Sequence, residues 1–176
     1  TDDRPLDEFS NCHVGIVSHL ESLAEVPALL EPAAKARRIA GETIDFFRRA
    51  VYEHHAEEER ELFTAVLAST QAGEERARVQ AMIDRLTTEH GMIEAVWKNI
   101  ESPLKDVARG RDSTLDGRDV DYLVKMYLGH ARFEEAEFLP LAQTILSRNS
   151  NHMAALGLSL HMRHVMPSVL ARARGV

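Results

Sequence analysis

The chain has a single cysteine, Cys12. It cannot form an internal disulfide or a thiolate metal cage, and the composition fits a reducing, cytoplasmic setting. No apolar run approaches the roughly 18 residues of a membrane helix, and the first residues do not read as a secretory leader, so no membrane partner is expected. Basic residues are the minority, 21 against 28 acidic, for a net charge of -7. That balance argues against a nucleic-acid backbone as partner. Strand signals are also scarce. There is no sustained period-two alternation and no Asn-Gly or Asp-Gly hairpin between β-branched runs. What the chain does have is a wealth of strong helix formers, apolar residues at spacings of three and four, and nine histidines in 176 residues. That length suits one domain with a self-sufficient core.

The pattern predicts an all-α protein: an antiparallel up-down-up-down four-helix bundle over 6–148 and an additional C-terminal helix over 149–176, packed on or beside it. Helix A is expected from about Leu6 to about Leu30, with a kink at Pro27. Helix B follows from Pro32 to about Thr70, with Gly73 as a stop. Helix C covers about Glu74 to Glu101 and ends at Ser102-Pro103. A long connection leads to Asp116, the expected N-cap of helix D, which runs to about Ser147. A fifth helix is expected over about Asn151 to Arg172.

An internal repeat carries the histidines. Val51, His54, Glu58 and Leu62 correspond to Tyr127, His130, Glu134 and Phe138 at a constant offset of 76, and His13 and Ile16 to His90 and Ile93 at 77. Each half thus places a histidine on its first helix and His-x-x-x-Glu on its second. At about 100° per residue, Glu58 and Glu134 fall in the middle of apolar stripes. His13 and His90 also lie on apolar faces. His54 and His55 flank the stripe of helix B on its two edges, and the repeat selects His54, because His55 corresponds to Ala131. Glu57, Glu59, Glu61 and His55 then read as a solvated face or outer support. Glu94 reads as either an added terminal ligand or a core-edge carboxylate, and Tyr127 as packing. His161 and His164 read as surface or interface, and Cys12 as a buried spectator.

A single histidine on an apolar face is usually a satisfied core residue. Two carboxylates at the centre of apolar stripes are harder to explain, because an unpaired buried charge costs several kcal/mol or more. Metal cations would neutralise both and engage the imidazole lone pairs. Imidazole with carboxylate and no thiolate suits iron, manganese or zinc. No glutamate stands three residues before any histidine, as a ferritin-like site would need, and no His-Glu-x-x-His motif occurs.

The chain resembles the hemerythrin-like family, the HHE cation-binding domain. The match is carried by Cys12-His13, by HHAEEERELF from His54, by TEHGMI around His90 and by HARFEEAEFLP from His130, over roughly 6–148. The resemblance implies His13, His54, Glu58, His90, His130 and Glu134 as ligands of two iron ions, oxo- or hydroxo-bridged, with Glu58 and Glu134 bridging and zinc or manganese as alternatives. It implies a protein that senses, stores or binds oxygen, nitric oxide or iron. The alternative is a di-iron enzyme acting on oxygen, peroxide or nitric oxide species. One departure bears on that choice: oxygen carriers have a second histidine four residues after the one matching His90 and His-x-x-x-x-Asp on the last helix, where this chain has Glu94 and His-x-x-x-Glu. Acid is expected to weaken metal binding through the histidine range. The oligomeric state stays open, a homodimer included.

Overall fold

The computed structural model describes residues 4–148. The side chain of Cys12, the expected fifth helix, and His161 and His164 lie outside what is described. Within those bounds the chain is helical and contains no strand.

Three long rods make up the described residues. The first comprises α1 (Arg4–Phe46), a π-helical turn (Phe47–Val51), α2 (Tyr52–Glu57), a second π-turn (Glu58–Leu62) and α3 (Phe63–Ala68). The second is α4 (Glu74–Ala108). The third joins α5 (Gly117–Phe133), a π-turn (Glu134–Phe138) and α6 (Leu139–Leu146). The junction residues Phe46, Val51, Glu57, Leu62 and Phe133 all keep right-handed helical torsions, so each rod is continuous. The π-turns show as bonds spanning five residues: Tyr52, Phe63 and Leu139 donate to the carbonyls of Phe47, Glu58 and Glu134.

Gly73 starts α4 at a φ of 96°, a conformation that only glycine adopts cheaply. Asp116 caps α5 as expected, its carboxylate accepting from the Arg118 amide at 2.9 Å.

Two boundaries differ from the sequence reading. Helix C does not stop at Pro103 but continues to Ala108. Leu104 and Ala108 pack against the core there, which outweighs the one backbone bond that a proline removes. Helices A and B do not form a hairpin. The chain runs through Pro27 and Pro32 as one helix. Between Gly15 and Gly41 there is no glycine, asparagine or aspartate, so no residue there readily takes the left-handed conformation of a tight reversal. Residues 13–39 are accordingly an exposed helical arm, and the first residue described as buried is Ala40.

The core lies in two apolar clusters separated by a polar layer. One holds Leu62, Phe63, Val66, Val79, Leu86, Phe138 and Ile145. The other holds Ile44, Phe47, Val51, Ile93, Trp97, Ile100 and Leu123, with Phe47 stacked on Trp97 at 3.9 Å between ring centres. Between them, on three rods, sit His55, Glu58, His90, His130 and Glu134, all buried.

Candidate metal centre

The polar layer is set by helical spacing. His90 falls on the α4 face between Leu86 and Ile93, and His130 and Glu134 fall between Leu123 and Phe138. His55 and Glu58 fall between Val51 and Leu62 on the first rod.

Three imidazoles are held in the same manner. His55 Nδ1 donates to Glu94 at 3.1 Å, His90 Nδ1 to Glu59 at 2.8 Å, and His130 Nδ1 to Glu89 at 3.0 Å. An ionised carboxylate only accepts, so each Nδ1 carries the proton and each Nε2 turns a lone pair inward. The three Nε2 atoms are buried without a hydrogen-bond partner, and donor nitrogens of these residues converge within 4.8 Å of one another. A carboxylate behind each imidazole is the arrangement that orients histidine ligands and raises their basicity. Glu89 is itself fixed by Arg85 at 2.8 Å.

His54, Glu58 and Glu134 form a second group, again with ligand atoms within 4.8 Å. Glu58 joins the two. One of its oxygens lies 3.3 Å from His54 Nε2 and the other 3.2 Å from His90 Nε2. Both Glu58 oxygens and Glu134 Oε1 are buried without a hydrogen-bond partner. Such groups are rare in folded proteins and costly, about 1–3 kcal/mol each.

Electrostatics follow from this crowding. Burial pushes the Glu58 carboxyl up to about 7. Burial, then the neighbouring Glu58 charge, pushes Glu134 up to about 9. Burial, then the other histidines, lowers His54 to about 4 and His55 to about 2. Without a cation, burial therefore favours neutral His54 and His55 and a protonated Glu134. A cation would replace the carboxyl protons and engage the orphaned nitrogens, so the donor set fits a metal.

The structure brings together five of the six ligands expected from sequence: His54, Glu58, His90, His130 and Glu134. His13 stands apart on the exposed arm. About 40 residues of unbroken helix separate it from His54, roughly 60 Å along the axis. His55, assigned to outer support by the repeat, faces the site. Adjacent histidines on the two edges of an inward sector both point in, each toward a different partner. The orienting role of Glu59 and Glu89 is legible only across helices, though each neighbours a ligand in sequence. Glu94 serves the same role.

The chain matches the family model of the hemerythrin HHE cation-binding domain over residues 4–142 and belongs to that family. No curated protein and no solved structure matches it.

Proposed function

We propose that the chain is a non-haem di-iron protein that binds oxygen or nitric oxide, with a role in sensing, storage or iron binding. The observation that carries this reading is the trio of buried Nε2 atoms, each backed by a carboxylate, facing a carboxylate that spans two ligand groups. His55, His90 and His130 would hold one ion, His54 and Glu134 the other, and Glu58 would touch both. Imidazole and carboxylate without thiolate suit iron. The pair of ions would supply binding of a diatomic molecule. The protein's own part is to present neutral, pre-aimed nitrogens, to exchange carboxyl protons for cations, and to exclude bulk water with the two apolar clusters.

The same reading takes 6–148 as a hemerythrin-like four-helix unit, with helix A as its fourth member, and 149–176 as a further helix beside it. A cytoplasmic location is part of the proposal. Among the described residues no helix is long and apolar enough to cross a membrane.

Metal analysis of protein purified without chelator tests the proposal. About two irons per chain are expected, with near-ultraviolet absorption that falls on reduction and returns in air. Stoichiometric zinc without iron, after expression in iron-replete cells, would refute it.

One observation favours the enzymatic alternative. Tyr127 lies beside His55 and His130, and its phenol is pushed up to about 12 by burial and then by Glu58 and Glu134. It is thus a retained proton donor next to the site. Peroxide breakdown by iron-loaded protein, lost in Tyr127→Phe, would select that reading.

A further inference from the structure

The arm and the body each expose an apolar face. On the arm, His13, Ile16, Leu20, Leu23, Pro27 and Leu30 follow one another at alternating steps of three and four, the seam of a helix that packs against other helices. Among the described residues nothing covers this seam: Ile16, Leu20, Leu23 and Leu30 are each more than half exposed. So large an apolar surface marks an interaction site.

The body has a matching open flank. On α5, Phe133 turns toward α4, where Arg85 lies 3.6 Å over its ring. Val120, Val124 and Leu128 lie on the opposite side of α5, and Val124 and Leu128 are half exposed. Neither α1 nor α2 packs extensively on α5, whereas α3 closes on α6 at the other end. The site is not fully sealed: the side chain of His54 keeps 19% exposure, against 2% for His55, His90 and His130.

We propose that a second copy of this chain fills the flank by reciprocal exchange of arms, and that each arm carries His13 to the metal layer of its partner. The exchange rests on the two apolar faces alone. The delivery of His13 rests on the di-iron reading as well.

Register supports a second copy over folding back. An arm that packed on its own body would have to reverse between Leu30 and Pro32, where the helix is unbroken and no glycine, asparagine or aspartate stands to take a left-handed turn conformation. For two straight antiparallel rods, His13 of one meets the level of His54 on the other when the two-fold axis passes midway, between Ala33 and Ala34. That midpoint lies before Ala40, the first residue described as buried, and before Arg37, which lies beside Gly110. The two bodies therefore clear each other, and each histidine sits about 31 Å from the axis. Small side chains at Ala33 and Ala34 let the rods cross closely. Each arm offers an apolar seam that runs from His13 to Leu30, and a two-fold exchange buries it twice.

Light scattering on the metal-free full chain at tens of micromolar is the first test. The expected mass is twice 19.8 kDa. Leu20→Glu with Leu23→Glu should give monomers that keep their helical signal. Inserting a flexible glycine-serine loop after Leu30 should also give monomers, now folded back, and this variant covers the case in which the charged arm misfolds. A monomeric wild type overturns the exchange, whether its arm is covered by its own body or by residues 149–176, and so does a dimer that persists in both arm variants. Iron titration then separates the two claims. In His13→Ala the dimer should persist with about tenfold weaker iron binding. Unchanged binding overturns the delivery of His13 and leaves the exchange standing. A wild-type dimer that takes up no iron at all refutes the di-iron reading alone.

Discussion

Glu134 should make the metal-free protein less stable as the solution turns alkaline. Its carboxyl titrates near 9 when folded and near 4.5 when unfolded. Between those values the folded state holds a proton that the unfolded state has released. A raised folded pKa contributes stability that is complete below about 4.5 and is lost as pH rises toward 9. The slope is about 1.4 kcal/mol per pH unit. From pH 7 to pH 9 the loss is therefore about 2–3 kcal/mol, a sizeable part of a typical domain stability of about 5–15 kcal/mol. Glu58 adds little over this interval, because it titrates near 7 and is mostly ionised above it. Glu134→Gln keeps a hydrogen-bond donor and removes the titration. Urea unfolding of chelator-treated wild type should show its midpoint falling by about 1 M between the two pH values. The Glu134→Gln midpoint should fall far less, leaving only the drift from exposed groups common to both proteins. Parallel pH dependence in the two would mean that Glu134 is not held protonated by burial, and that the two carboxyls do not share a desolvated layer.

The same shifts set the protons released on metal loading. About one is expected near pH 8, from Glu134, and about two near pH 6, where Glu58 is protonated as well; calorimetry in buffers of different ionisation enthalpy reads this number. His54 and His55 stay neutral throughout that range, so acid competes with metal at the glutamates before it does at those two rings. Glu59→Ala should weaken iron binding about 10–100-fold by freeing the His90 ring, while exposed Glu61→Ala leaves the metal titration unchanged. Trp97→Ala should cost about 3–5 kcal/mol in chemical unfolding, since the ring is buried and stacked on Phe47.

Much of the site is legible in the sequence because burial and period act locally. Glu58 and Glu134 sit mid-stripe on their helices, and both are buried side by side in the fold. His90 was placed by the face it shares with Ile93 and Trp97, and all three are buried together. The helix stop near Gly73 and the cap at Asp116 rest on one or two residues each. Phase arguments failed where neighbouring residues compete. Choosing between His54 and His55 assumed that the two halves use one histidine apiece, yet the first rod uses both and the third only His130. Orientation of His90 by Glu59 or of His130 by Glu89 depends on which helices adjoin, which no single stretch of sequence specifies. Proline misled twice. Pro103 and Pro32 each remove one amide donor, and at both the helix continues.

The π-turns beginning at Glu58 and Glu134 bear on how such a chain tolerates gaining or losing residues. Each is in effect a single residue added to an α-helix and absorbed in place. Removing exposed Ala136 from the turn Glu134–Phe138 would leave every core side chain present and return the helix to ordinary winding. It would also leave α6 near its present phase relative to α5, because the wide turn already takes up the extra residue. Phe138, Ala142 and Ile145 would then stay in the core beside His130 and Glu134. A residue can thus be lost beside the ligand layer without turning the apolar layer next to it.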